Sequence, residues 1–174
     1  MTYKGQNASN IALLAGIAGL LIYLLGYMFT QLGAFFVAAL IGQQLGTDDI
    51  PDYAGLSRRA PVSALLMAVF MLSLTGFPPT SVFIGKFYVL AGAIDNGLLW
   101  LAIVGVVNSV ISLYYYAGVI RAMYVMPAAS TVPLREPAAL QVALGIAGLG
   151  TLLIGLYPQP IIDLARSAVL LLRI

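Results

Sequence analysis

The chain contains no cysteine and no histidine. Disulfides and thiolate-ligated iron–sulfur clusters are thereby excluded, as are histidine-ligated haem and the usual imidazole metal sites. Redox chemistry linked to this protein has to take place on another chain. Charge is scarce too: 8% of the 174 residues are charged, against about 25% in a soluble domain. The net charge of +2 is too small and too scattered to suggest nucleic acid as a partner. The sequence holds no phosphate-binding glycine loop, no metal-ligating cluster and no nucleophile triad.

What is present is apolar. Hydrophobic residues make up 61% of the chain, and the mean hydropathy is +1.01. An all-α integral membrane protein follows, because a bilayer requires every backbone group to be satisfied within the span. The length allows about four or five spans, which is small for a self-contained transporter. A polar stretch of ten residues followed by a very long apolar run does not fit a cleaved signal peptide.

Four spans are predicted, at about 11–42, 62–94, 98–120 and 138–157. The first is one long helix with Gly16 and Gly19 near a loose start. The loop that follows, Gln43–Ala60, gathers Asp48, Asp49, Asp52, Arg58 and Arg59, and Pro61 suits the first turn of the next helix. The second span is discontinuous, with halves at 62–74 and 81–94, and Asp95-Asn96-Gly97 forms a turn after it. Met126–Pro137 is a proline-containing loop carrying Arg135 and Glu136. The tail 161–174 sets Asp163, Arg166 and Arg173 among aliphatic residues and reads as a short amphipathic helix at the membrane interface. Arg58, Arg59, Arg121 and Arg135 share one side, against Lys4, Arg166 and Arg173 on the other. That small excess favours both loops facing the cytoplasm and both termini facing away from it.

Lys86 is the only charge between Pro61 and Ile94. An ionisable group inside a span is by default part of an ion or proton path. Desolvation opposes its charged form, so such a lysine can load and release a proton. The bland alternative is a snorkelling lysine that reaches the headgroups. Just upstream, Thr75, Gly76, Phe77, Pro78, Pro79 and Thr80 interrupt the helix. This is either a tight loop between two short helices or a broken helix whose carbonyls line a cavity. In the second case Thr75, Thr80 and Ser81 re-satisfy the freed backbone. Tyr23, Tyr27 and Gln31 recur at i, i+4 and i+8, with Thr30 beside them. Asn108 and Ser112 repeat that spacing, and Tyr115 and Tyr116 follow. Such stripes either glue helices together or line a hydrated proton path from Lys86. Gly145, Gly148, Gly150 and Gly155 read as packing contacts on the fourth span.

Three stretches are similar to a known family: Asp52-Tyr53-Ala54-Gly55-Leu56-Ser57-Arg58-Arg59-Ala60-Pro61, then Met71-Leu72-Ser73-Leu74-Thr75-Gly76-Phe77-Pro78-Pro79-Thr80, then Phe83-Ile84-Gly85-Lys86-Phe87-Tyr88. Tyr27-Met28-Phe29-Thr30-Gln31-Leu32-Gly33-Ala34-Phe35 and Tyr157-Pro158-Gln159-Pro160 fit the same pattern. Nearly the whole chain resembles the antiporter-like subunits of respiratory complex I, subunit N of bacterial NADH-quinone oxidoreductase in particular.

The resemblance implies the carboxyl-terminal part of a larger subunit with inverted repeats, a carboxyl terminus on the periplasmic side of the bacterial inner membrane, and a proton-exchanging role for Lys86. It implies that NADH, flavin, iron–sulfur clusters and quinone sit on other subunits, with no cofactor on this chain. The partners it implies are neighbouring antiporter-like and small membrane subunits, and lipid. Where the family usually has glycine before the phenylalanine matched by Phe83, this chain has Val82, and the bulkier side chain is expected to narrow the unwound segment. The amino-terminal repeat, with the glutamate–lysine pair and central lysine of the proton path, is absent, so proton pumping by this chain alone is not expected. Competing readings are a subunit of a multi-subunit sodium/proton antiporter and a truncated, non-transporting scaffold.

Overall fold

The computed structural model describes the backbone of residues 3–47, 49–128, 130 and 132–171, and side chains between 16 and 169 apart from 48, 129 and 131. Asp48, Arg173 and the side chain of Lys4 lie outside the described residues. Seven α-helices and one 3-10 turn appear among the described residues, with no strand. They are α1 (Tyr3–Leu45), the 3-10 turn Ile50–Tyr53, α2 (Leu56–Arg59), α3 (Pro61–Thr75), α4 (Ser81–Asp95), α5 (Leu99–Tyr124), α6 (Ala138–Leu156) and α7 (Gln159–Leu171).

Three helices are long and apolar enough to cross a membrane alone: α1 over Gly16–Leu45, α5 and α6. The halves α3 and α4 have 15 residues each. Each is therefore about 22 Å long, too short to span alone. Their neighbours on α1 show how they are arranged. Phe70 lies against Gly33, Ser73 against Thr30, Ser81 against Gly26, Tyr23 against Gly85, Tyr88 against Gly19, and Gly92 against Gly16. The register falls steadily along α1 as the sequence rises through the break. The halves thus run end to end, antiparallel to α1, and together make one crossing. The tight-loop alternative is not what forms.

The closeness of this pairing depends on missing side chains. A Cβ on Gly85 would stand 2.4 Å from Tyr23 Cα, and one on Gly33 would meet the Phe70 ring at 2.2 Å. Gly16 and Gly19 are not a loose start, because they lie in regular helix and face Gly92 and Tyr88. Helix α1 begins at Tyr3, well before the expected Ile11. Polarity marks where the apolar stretch starts, while nothing between Tyr3 and Ile11 stops a helix, proline being absent there. On α6, Gly148, Gly150 and Gly155 are packing contacts as expected, but Gly145 faces open space.

Two apolar clusters flank the middle of the bundle. The larger joins the second half of α1 to α2, α3, the end of α5 and the start of α6, around Val37, Ile41, Leu56, Phe70, Met123 and Leu144. The smaller seats Ile162, Ala165 and Val169 of α7 on Ala18 and Ile22 of α1. Asp163, Leu164 and Arg166 face outward, so α7 is amphipathic and its apolar stripe is covered by α1.

The end of the bundle that holds Arg58, Arg59, Arg121 and Arg135 is tied by loop contacts. Buried Arg59 donates from Nε to the Val132 carbonyl at 3.1 Å, and its own carbonyl accepts the Leu134 amide at 2.9 Å. Gln44 and the backbone of Arg135 bond each other reciprocally. Glu136 Oε1 accepts both the amide (2.8 Å) and the hydroxyl of Ser63, in the first turn of α3.

Candidate proton-transfer site

The site is built at the C-terminus of α3. The last four carbonyls of any α-helix lack an intrahelical partner, and here these belong to Leu72, Ser73, Leu74 and Thr75. Gly76, in the left-handed conformation at φ +92°, turns the chain so that the Phe77 amide reaches Leu72 O at 3.0 Å and the Gly76 amide reaches Ser73 O at 2.8 Å. That is the helix-closing motif that glycine favours. It leaves the carbonyls of Leu74 and Thr75. In an unbroken helix these two would accept from residues 78 and 79, but both are proline and have no N–H to give.

Lys86 takes the vacant acceptors. Its Nζ donates to Leu74 O at 3.0 Å, to Thr75 O at 3.0 Å and to Ser109 Oγ of α5 at 3.2 Å. An ammonium has three donors, so all are used. Every partner is uncharged. The two carbonyls form the negative end of the α3 dipole, and Ser109 is held by its own bond to Gly105 O at 3.0 Å. The half-buried lysine therefore points back across the break into protein.

Lys86 stands between two cavities. One, of about 440 Å³, is polar and is lined by Tyr23, Tyr27, Asn108, Ser109, Ser112, Tyr115 and Tyr116 together with Leu74, Gly105 and Ile111. Tyr23 stacks on Tyr27 with centroids 5.6 Å apart, and Tyr115 meets Tyr116 edge-on at 4.7 Å. The other, of about 350 Å³, is lined mainly by apolar groups such as Phe83, Phe87, Leu90 and Val110.

Of the stripe candidates, Tyr23, Tyr27, Asn108 and Tyr115 thus meet at one cavity with Lys86. Gln31 does not line it. Each i+4 step turns about 40° around a helix, so a residue eight along has drifted about 80° off the face. Among the break candidates, Thr75 and Gly76 touch the lysine: Thr75 through its carbonyl, Gly76 at 3.1 Å from Lys86 Cδ to the position a Cβ would take. Pro78, Pro79 and Thr80 do not. The Pro78–Pro79 bond is cis, Thr80 Oγ1 donates to Phe77 O at 2.6 Å, and the segment lies so close to α6 that a Cβ on Gly155 would meet Pro79 O at 2.2 Å. Val82 is fully buried in the first turn of α4, just after the unwound segment.

Ser109 was not among the sequence candidates. It is three residues before Ser112, which shares its face, and Ser112 Oγ donates to its carbonyl at 2.7 Å. A second omission is a buried cluster of hydroxyls from Thr30, Ser73, Ser81 and Thr151 on four helices.

The family model for the NADH:quinone oxidoreductase/Mrp antiporter transmembrane region matches residues 8–112, more than half the chain. The chain belongs to this antiporter-like membrane family. Among relatives in the NADH:quinone oxidoreductase/Mrp family, NADH-quinone oxidoreductase subunit N of Trichlorobacter lovleyi is 44% identical over 161 residues, covering 90% of this chain and 33% of that protein. F(420)H(2) dehydrogenase subunit N of Methanosarcina mazei is 38% identical over 166 residues, with 90% and 34% covered. The structure of respiratory complex I from Thermus thermophilus contains a similar chain at TM-score 0.71 and 30% identity, covering 87% of this chain and 36% of that one. A chain of the Mrp complex from Dietzia sp. shares the fold at TM-score 0.80 and 21% identity, with 90% and 38% covered. The chain spans about a third of the length of the relatives it matches. Membership fits a multi-pass membrane protein, and the broken α3–α4 crossing lies wholly inside the matched region.

Proposed function

We propose that this chain supplies part of a proton-translocation path in the membrane arm of a proton-pumping NADH-quinone oxidoreductase, with Lys86 loading and releasing the proton. The observation that carries the reading is the solvation of Lys86: two carbonyls stranded by Pro78 and Pro79, one serine hydroxyl, and no counter-ion among the described residues. A lysine held by a carboxylate would stay charged through a cycle. A lysine held only by dipoles can be emptied and refilled when a charge elsewhere in the arm moves.

The polar cavity bounded by Tyr23, Tyr27, Asn108 and Tyr115 offers room for the water chain that would bring the proton. Electron transfer from NADH or a related donor to quinone, through flavin and iron–sulfur clusters, belongs to other subunits in this reading. The partners are the adjoining membrane subunits and lipid. The setting is the bacterial inner membrane, with the carboxyl terminus periplasmic; the position of Arg58, Arg59, Arg121 and Arg135 at one end of the bundle supports that orientation.

The test is Lys86→Ala in the assembled complex, measuring protons moved per electron alongside quinone reduction. The expected outcome is a large loss of pumping in a complex that still assembles. Wild-type pumping and quinone reduction with alanine in place refute the role. The sodium/proton antiporter reading rests on the shared fold with the Mrp chain. Sodium-dependent proton flux without an electron donor would establish it instead.

A further inference from the structure

The structure assigns Thr30 as a positioning residue for the Lys86 site, through a hydroxyl hub at which Thr30 Oγ1 and the adjoining Gly26 carbonyl hold the two broken helix ends side by side. This rests on the proposed role of Lys86. Thr30 Oγ1 on α1 lies 3.1 Å from Ser73 Oγ on α3, 3.4 Å from Ser81 Oγ on α4 and 3.2 Å from Thr151 Oγ1 on α6. It also lies 3.0 Å from Gly26 O of its own helix. All four hydroxyl residues are buried, and Thr30, Ser73, Ser81 and Thr151 are each 0% exposed.

Donor counting gives one consistent arrangement. Among the described residues Thr30 is the hydroxyl within reach of both Ser73 and Thr151, so both donate to its two lone pairs. Thr30 donates to Gly26 O, and Ser81 donates to the same carbonyl at 3.2 Å. No buried side-chain polar atom among the described residues is then left without a partner.

The placement gives the hub its meaning. Ser73 immediately precedes Leu74, whose carbonyl holds the ammonium; Ser81 opens the helix that carries Lys86. The acceptors and the donor of the lysine site thus sit on separate half-helices joined by a proline-rich segment. Their spacing is set by what each half is pinned to, and both are pinned beside Thr30. An exchange of partners at this hub would move the acceptors relative to Lys86.

The experiment compares Thr30→Val, Thr30→Ser, Ser81→Ala and Lys86→Ala in the assembled complex, reading protons per electron and uncoupled quinone reduction. Valine keeps the size of threonine and removes the hydroxyl; serine keeps the hydroxyl and removes a methyl. A packing role makes serine the worse of the two, whereas a positioning role reverses that order. The expected result is severalfold weaker coupling for Thr30→Val at near-normal uncoupled electron transfer, near-normal coupling for Thr30→Ser, and an intermediate loss for Ser81→Ala. Ser81→Ala leaves the hub's other bonds intact, so it decides the matter if the valine variant fails to assemble. Normal coupling in Ser81→Ala or Thr30→Val, or serine worse than valine, overturns the assignment. Normal coupling in Lys86→Ala would instead remove the reading on which it rests.

Discussion

Glu136 caps α3 from a loop 73 residues downstream of Ser63, and removing it should loosen the first turn of that helix. The local N-cap position is Ala60, which has no side-chain acceptor, and Pro61 has no amide to satisfy. The Ser63 amide is the third residue's donor that a local cap would normally take. Glu136 takes it at 2.8 Å and holds the Ser63 hydroxyl as well. A hydrogen bond to a charged group contributes about 1.5–3 kcal/mol, and a carboxylate beside a helix N-terminus about 0.3–1 kcal/mol. Glu136 is partly exposed, so the lower end applies and about 2 kcal/mol is the working figure. Each 1.4 kcal/mol is a factor of ten in an equilibrium constant, so local opening in Glu136→Ala should rise roughly 30-fold. Amide hydrogen exchange of the assembled complex, followed over residues 61–75, reads this directly. Gln44→Ala is the control, because it breaks the neighbouring pair with Arg135 without touching Ser63. Protection of the Ser63 amide that changes by less than about twofold in Glu136→Ala would refute the cap.

Three further substitutions follow from the geometry. Gly76→Ala forces a side chain into a left-handed backbone at φ +92° and 3.1 Å from Lys86 Cδ, so it should cost about 1–3 kcal/mol and reduce coupled pumping, measured as protons per electron. Gly85→Ala would put Cβ 2.4 Å from Tyr23 Cα; overpacking of about 1–3 kcal/mol should lower the melting temperature of the purified complex, while Gly118→Ala, which meets nothing within 4 Å, should not. Ser109→Ala removes one of three acceptors of the ammonium, about 1.5–3 kcal/mol for a charged donor, and should slow coupled proton transfer about tenfold with assembly intact.

Much of this was legible in the sequence for physical reasons. Four crossings, the break and its boundaries follow from hydropathy and from Gly76, Pro78 and Pro79, since glycine and proline act on the backbone wherever they stand. The cavity residues Tyr23, Tyr27, Asn108 and Tyr115 were found because helical periodicity is local. The same rule overreached at Gln31, where the small drift per turn accumulates. Ser109, Thr151 and Glu136 were missed because their partners are 23, 121 and 73 residues away, on other elements. A serine or threonine in an apolar helix gives no sign of which neighbour it will meet. The acceptors of Lys86 were nevertheless within reach of the sequence. Subtracting four from each proline names Leu74 and Thr75 as carbonyls in want of a donor.

That subtraction also explains why the break and the lysine are one feature. On a continuous helix the carbonyls of Leu74 and Thr75 would be consumed by backbone amides, and an ammonium at Lys86 would lose two of its three acceptors and keep only that of Ser109. The prolines withdraw two donors, Gly76 closes the helix using the carbonyls one turn earlier, and the two left over point to where Lys86 arrives from the next half-helix. Helix α3 is then satisfied at both ends by remote charges, Glu136 at the amino end and Lys86 at the carboxyl end, each of the sign its dipole favours. The carboxylate sits at the edge of the bundle and the ammonium lies about 22 Å along the helix from it, too far for direct neutralisation. The lysine is thus held by three uncharged dipoles among the described residues, two of them left over from the break itself.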